Sequence, residues 1–478
     1  MIDLRDYQKT LVADTRAAFG GGAKSIVMVL PTGGGKTFTF SFIAMNAAAR
    51  SNAVGIIVHR QELLLQASTA LASLGVAHRL VASDATIKAA FAEQRRKIGR
   101  SLIDQNSLVT VASVQTLVRR LGDPNEFRLL ILDEGHHAVA GSWETLTKHY
   151  STAKVLGVTA TPIRLDGKGL NRSYDTMIQG PTISDLIDGG YLCDVTVYAP
   201  EKAPDLTGIK NRGGDWARGE LSERMAARTI TGDAISHYRK HVDGIPSLAF
   251  CVSVKHSEAV AVEFRAAGYR AASIDGKTDR TLRARLIDDL GAGRLNVLTS
   301  CDIISEGVDV PRVGAALLLR PTQSVGLYMQ QVGRVLRPYA GKARAIILDH
   351  AGNSLEHGHP TAEREWSLET GEVKKKTRTS DGPPVRQCKS CFAIFEPQPA
   401  CPECGEPYTT RDNSIEYIEG ELIEHAETEE QREKRLRRRE QGAARTLEDL
   451  TKLARRRGYD APEQWAAHIF NARQRKTI

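Results

Sequence analysis

The chain has 478 residues, 41% of them apolar and 26% charged, values ordinary for folded domains that exclude disorder as the main state. At roughly 150 residues per domain, this length predicts about three domains. The net charge of +8 is uneven: between Gln431 and Arg457 stand eleven Lys or Arg against four Asp or Glu. The longest strongly apolar run, Val313 to Leu319, is seven residues, far short of the ~20 a membrane helix needs. Met1-Ile2-Asp3-Leu4-Arg5-Asp6 has no basic region followed by an apolar stretch, so no secretory signal is read there. A cytoplasmic protein without membrane partners is expected.

In chain order, Ser25–Leu30, Val54–His59, Leu108–Ala112, Leu129–Leu132 and Val155–Thr159 read as buried strands. Helical stretches such as Gln61–Leu74 separate several of them. That alternation predicts a parallel sheet covered on both faces. The segment Ile163–Gly190 is too irregular to place, and a Pro- and Gly-containing break covers Pro200–Asp215. The alternation resumes at Ser247–Val252, Ala271–Ile274, Asn296–Ser300, Ala315–Leu319 and Ala345–Leu348. The fold class expected is α/β, two parallel-sheet domains in tandem. The polar stretch Asn353–Pro384 reads as a linker.

The first strand runs into Pro31-Thr32-Gly33-Gly34-Gly35-Lys36-Thr37 and then a helix. A glycine-rich turn lets backbone N–H groups close around phosphates, whose charge the helix N-terminus favours. Lys36 would reach the β- and γ-phosphates, and Thr37 would ligate Mg²⁺. Leu30 occupies the first glycine position of the full pattern, and alone the segment could be a flexible loop. Asp133-Glu134-Gly135-His136-His137 follows the strand Leu129–Leu132. A carboxylate there can hold Mg²⁺ opposite the phosphate loop, and the next can deprotonate the attacking water. Alone, the two acids could be an exposed turn; with the phosphate loop on the same sheet, the catalytic reading prevails.

With these motifs in order, roughly the first 350 residues resemble a superfamily 2 DEAD/DEAH-type helicase. Leu4-Arg5-Asp6-Tyr7-Gln8 resembles the adenine-reading motif, with Gln8 as reader. Val58-His59-Arg60-Gln61-Glu62-Leu63 and Val111-Ala112-Ser113-Val114-Gln115-Thr116 resemble strand-contacting motifs, which implies nucleic-acid contacts at His59, Arg60, Ser113 and Gln115. Thr159-Ala160-Thr161-Pro162 resembles motif III, so Thr159, Thr161 and His136 are implied to couple hydrolysis to strand contact. Ser305-Glu306-Gly307-Val308-Asp309-Val310-Pro311 resembles motif V, with Gly307 and Asp309 at the nucleotide. Gln330-Gln331-Val332-Gly333-Arg334-Val335-Leu336-Arg337 fits motif VI. Phosphoryl transfer spreads negative charge over the γ-phosphate, which a guanidinium from a second domain can stabilise. The resemblance gives Arg334 and Arg337 that part and makes Gln330 their catalytic companion. Gly135 stands where alanine is usual, which predicts a softer turn. T-A-T-P and the Gln that opens motif VI point by analogy to DNA over RNA.

Cys388-x2-Cys391-x9-Cys401-x2-Cys404 has the spacing of two knuckles around a structural, tetrahedral Zn²⁺. Two motor domains followed by a zinc module resemble RadD-like bacterial and phage helicase proteins. The expected domains are residues 1–199, a RecA-like ATP-binding domain; 200–352, a RecA-like helicase C-terminal domain; 353–385, a linker; 386–410, a zinc ribbon; and 411–478, a charged helical tail. The tail could track phosphates or be a solvated helix. The expectation is an ATP- and Mg²⁺-dependent helicase or translocase acting on DNA in repair, recombination or replication, with a single-strand-binding or repair protein as possible partner. Two alternatives stay open: a motor that remodels DNA without separating strands, and an ATPase switch that recruits partners through its zinc ribbon and tail.

Overall fold

Strands buried on both faces read as unbroken apolar runs, and helices must then cover both sides of their sheet. The computed structural model has this architecture. It describes residues 4–123, 126–137, 141–163, 169–200, 228–301, 310–369, 446–459 and 461–475, with short pieces at 206, 209, 211–212, 215–216, 221, 386–387, 394–395, 423–424, 440 and 444. The chain forms two compact units, one of residues 1–360 and 366–424, the other of 361–365 and 425–478. Among the described residues no helix is long and apolar enough to cross a membrane.

The larger unit holds two seven-stranded sheets. The first comprises β1 (Ser25–Val29), β2 (Val54–Val58), β3 (Arg79–Val81), β4 (Val109–Ser113), β5 (Leu129–Asp133), β6 (Lys154–Thr159) and β7 (Thr176–Gln179). Their order is β3-β4-β2-β5-β6-β1-β7, with every pair parallel. Alternate residues face opposite layers: Ile26, Met28, Ile56 and Ile131 pack with Phe40, Leu64 and Leu71, whereas Val27, Ile57, Leu130 and Leu132 pack with Trp143, Leu146 and Tyr150. Because β5, β6 and β1 are neighbours, the turns at their C-terminal ends meet at one place.

The second sheet comprises β8 (Asp194–Ala199), β11 (Ser247–Phe250), β12 (Ala271–Ile274), β13 (Val297–Ser300), β14 (Ala315–Leu318), β15 (Arg344–Asp349) and β18 (Ile423–Glu424). Its order is β12-β13-β11-β14-β15-β8-β18, parallel except for β18, which runs antiparallel to β8. Two short hairpins, β9 with β10 (Asn211–Arg212 and Asp215–Trp216) and β16 with β17 (Arg386–Gln387 and Ile394–Phe395), stand outside these sheets.

Two expectations change. β8 precedes residue 200 in the chain but pairs with β15, so it belongs to the second sheet. The stretch expected to be a linker begins folded: Asn353–His357 is helical, Asn353 donates to the Arg320 carbonyl at 2.9 Å, and the Leu368 carbonyl accepts the Leu170 N–H at 2.8 Å. Among its described residues the smaller unit holds a packed helix pair, Leu447–Arg456 and Pro462–Arg475, joined through Leu450, Leu453 and Ala466. Arg455 pairs with Glu463, and Arg456 and Arg457 both pair with Glu440; the basic cluster Lys434–Arg439 lies outside the described residues.

Candidate active site

β1 ends beneath the glycine-rich turn, and Gly35 opens the helix Lys36–Ala48 with φ 81°. Gly33 has φ 87°, and both conformations strain any residue with a side chain. A Cβ on Gly35 would lie 2.6 Å from Gln8 Nε2, and one on Gly33 would lie 2.8 Å from Leu192 Cδ2. The loop is thus a backbone cradle with no room for side chains. Leu30, at the position where the pattern has its first glycine, is fully buried, and its carbonyl accepts a hydrogen bond from Lys36 Nζ at 3.3 Å. The N-terminal segment holds the loop from outside. Tyr7 donates to the Gly34 carbonyl at 2.8 Å, and Gln8 Nε2 donates to that of Gly35 at 3.4 Å. Gln8 therefore sits against the phosphate loop itself. Thr32 and Thr37 flank the same turn.

Beside the loop, β5 delivers Asp133 and Glu134, each about 95% buried. Glu134 has φ 53°, unusual for a residue with a side chain, and its N–H donates to Asp133 Oδ1 at 3.1 Å. Glu134 Oε2 makes no hydrogen bond among the described residues and faces His136 Nδ1 at 3.4 Å. That nitrogen is 2.9 Å from Thr159 Oγ1. The Thr159 hydroxyl donates to the Thr161 carbonyl and accepts the Thr161 N–H, so the proton of the His136 contact belongs to Nδ1. Glu134, His136, Thr159 and Thr161 form one continuous line.

Gly135 is not a softening of the turn. A Cβ there would lie 2.7 Å from both Gly157 Cα and Tyr174 Oη, and the buried Tyr174 hydroxyl donates to the Gly135 carbonyl at 2.8 Å. Tyr174 fills the space that the alanine of related motifs would need.

The second sheet reaches this place through the helix Val325–Gly333. A Cβ on Gly326 would meet Thr161 Oγ1 at 2.9 Å, and one on Gly333 would meet Thr32 Cβ at 2.4 Å. Both ends of the helix therefore touch loops of the first sheet. Gln330 on it and Arg334 just past its end are buried, and Arg337 Cγ lies 3.9 Å from where a Gly33 Cβ would stand. The proximity shifts the charges. Burial pushes the Lys36 ammonium down, Glu134 and Asp133 pull it back up, and Arg334 and Arg337 oppose them. Burial, with the Glu134 charge next, pushes Asp133 up to about 7 against the pull of Lys36. Two buried carboxylates, an ammonium and two guanidiniums thus share one site. A buried carboxylate oxygen without a hydrogen bond among the described residues, beside a glycine cradle, suits a hydrated cation and a polyphosphate. Gly307 and Asp309 lie outside the described residues, as do Cys388, Cys391, Cys401 and Cys404.

The expected strand contacts gather elsewhere, at the ends of the adjacent strands β2 and β4. Gln115 Nε2 donates to the His59 carbonyl at 3.1 Å, and Ser113 donates to Gln115 Oε1 at 3.1 Å. Arg60 caps the helix Gln61–Ser73. Next to them Arg283 of the second sheet's domain pairs with Glu62 at 3.0 Å. Tyr7, Tyr174 and Tyr191 are missing from the residues singled out in the sequence. Tyr7 stood inside a quoted motif, and its ring meets Tyr191 edge-on at 5.1 Å; Tyr174 and Tyr191 carry no local signal.

Comparison with known proteins agrees with this geometry. Residues 1–164 match the family described as type III restriction enzyme, res subunit, and residues 233–339 match the helicase conserved C-terminal domain. A 51.5 kDa protein of a Lactococcus phage (isolate 7-9) is 31% identical over 404 residues, 82% of each chain. The DNA 3′-5′ translocase XPB2 of Sulfurisphaera tokodaii is 23% identical over 393 residues, 74% of this chain and 83% of that one. In fold, the chain resembles a fragment assigned to the HsdR subunit of a type I restriction enzyme from Vibrio vulnificus, with TM-score 0.56, 19% identity, and 74% of this chain and 66% of that one covered. The two domain matches, together with a relative 31% identical over 82% of each chain, place this chain in the superfamily 2 DEAD/DEAH-type helicases.

Proposed function

We propose that the protein is a nucleic-acid-stimulated ATPase that translocates on DNA, with strand separation as its output. The observation that carries this reading is the seat of the helix Val325–Gly333 on the phosphate loop at Thr32. It makes one active site depend on two domains, so turnover is coupled to their closure. Gln8, Thr32, Gly33, Gly34, Gly35, Gly307 and Asp309 line the nucleotide, and Lys36 neutralises the transferring phosphate. Thr37 and Asp133 would hold Mg²⁺, which supplies further charge neutralisation when bound. Glu134 takes the proton of the attacking water. Arg334 and Arg337, aligned by Gln330, stabilise the charge that develops on the phosphoryl oxygens. The line from Glu134 through His136 and Thr159 to Thr161 ends against Gly326, a route by which hydrolysis reaches the second domain. His59, Arg60, Ser113 and Gln115 contact the strand. DNA is favoured by the name of the translocase relative.

ATP turnover measured with single-stranded, duplex and forked DNA and with RNA tests this reading, beside strand displacement on the fork. Stimulation by DNA with displacement is expected. Stimulation without displacement would leave a remodelling translocase, and equal turnover with and without nucleic acid would defeat the motor.

The four cysteines hold one structural Zn²⁺ in this reading. It is supported by their spacing and by the antiparallel pairing of Arg386–Gln387 with Ile394–Phe395, which brackets the first pair in sequence. Elemental analysis should find one zinc per chain, lost in Cys401→Ser/Cys404→Ser while basal ATPase persists. Metal-free wild-type protein would refute it.

A further inference from the structure

An α-helix leaves its last carbonyls without helical partners, and a cation placed there also complements the helix dipole. The helix that carries Gln330 ends at Gly333, and the two arginines follow in the turn Arg334–Arg337. Three successive carbonyls of that turn are captured from outside it. The Leu336 carbonyl accepts the Cys193 N–H at 2.8 Å, with Cys193 Sγ at 3.1 Å. Those of Val335 and Arg337 both accept from Lys342 Nζ, at 2.6 and 2.8 Å. The same ammonium donates to Val313 O at 2.7 Å and approaches Pro311 O at 3.2 Å. Three N–H bonds are therefore spent on four carbonyls, and among the described residues no carboxylate pairs with the charge. A half-buried lysine held by main-chain oxygens is set there for their position.

We propose that Lys342 is the positioning residue for Arg334 and Arg337. Its ammonium ties the turn that bears them to the segment entering β14, and so fixes where both guanidiniums meet the phosphate loop. This inference rests on the catalytic reading of the two arginines. Burial lowers Lys342 to about 8, with Arg337 adding to the shift and Cys193 opposing it; these are the titratable groups that face it. The sign follows: below about 8 the ammonium holds the carbonyls, and above it the charge and one donor are lost. Turnover should fall on the alkaline side while ATP affinity changes little.

The test is steady-state ATPase of the full chain from neutral to alkaline pH for wild type, Lys342→Met, Lys342→Arg, Arg337→Ala and Lys342→Met/Arg337→Ala. Lys342→Met should lower kcat about tenfold, where ~1.4 kcal/mol is tenfold in rate, with KM for ATP within about twofold. It should also abolish the alkaline decline centred near 8. The double variant should be no worse than Arg337→Ala, because residues acting as a unit are not additive. Lys342→Arg keeps a charge that does not titrate, so it should recover part of kcat and show no such decline; it carries the pH test if the methionine variant folds poorly. Wild-type kcat in Lys342→Met beside an impaired Arg337→Ala would overturn the proposal alone, as would an alkaline profile identical to wild type's in both Lys342 variants; Lys36, itself lowered by burial, can add a separate decline in all of them. Wild-type turnover in Arg337→Ala would instead overturn the arginine reading, and this inference with it.

Discussion

The two sheets contribute to the site in opposite ways. The first delivers short contiguous segments at the ends of the neighbouring strands β1, β5 and β6, so backbone geometry alone aims Lys36, Asp133, Glu134 and Thr159 at one place. The second delivers Arg334 and Arg337 from the frayed end of a helix, held by Cys193, Lys342 and the segment before β14. The first half is a set of local motifs on a rigid sheet. The second is an assembly, whose arginines are only as well placed as three other pieces of chain allow.

The sharpest way to break the comparison is to remove the centre of the local half. In the proposed mechanism Lys36→Ala takes away the ammonium at the transferring phosphate, and ATP turnover should fall at least about a hundredfold, ~2.7 kcal/mol. Turnover within about tenfold of wild type would mean that the loop is not the phosphate site.

Gly135→Ala tests how rigid that local half is. The added methyl has Gly157 Cα and Tyr174 Oη at 2.7 Å, and overpacking of this kind costs about 1–3 kcal/mol. Denaturant unfolding should register that loss, and kcat should drop about tenfold as the Glu134 turn shifts. Tyr174→Phe should cost less, ~1–2 kcal/mol, by leaving the Gly135 carbonyl without its donor. A fully active, fully stable Gly135→Ala protein would show the turn to be pliant.

The smallest effect is expected across the domain boundary. Glu62 and Arg283 are partly exposed, with side chains 40% and 16% accessible, so their pair is worth ~0–1 kcal/mol after solvent screening. Arg283→Ala should leave basal ATPase unchanged and alter nucleic-acid stimulation by no more than a few-fold, an effect that added salt should erase. A large loss would show that closure hangs on this pair and not on the helix seat at Thr32.

Much of the fold was legible because buried parallel strands announce themselves as apolar runs: β1, β2, β4, β5, β6 and β11 to β15 fall within a residue or two of the runs read in the sequence. β3, β7 and β8 were not. β7 is an edge strand, Thr-Met-Ile-Gln, with no fully buried residue, and β8 alternates Asp-Val-Thr-Val-Tyr-Ala, so neither shows a continuous run. The folded start of Asn353–His357 was hidden for another reason. Its residues are polar because they satisfy main-chain groups of the Arg320–Thr322 turn, and polarity used that way looks like a linker.

Sequence by itself determined which motifs are present: glycine-rich loops, acidic turns and arginine motifs are local, since each needs particular residues within a few positions of one another. Tertiary structure alone decided how those pieces are held. The glycine at 135 is explained by Tyr174, 39 residues on, and the seat of the motif VI helix by contacts to Thr32 and Thr161 across two sheets. Such dependencies leave no trace in spacing or periodicity, because steric exclusion and carbonyl capture act between surfaces that only folding brings together.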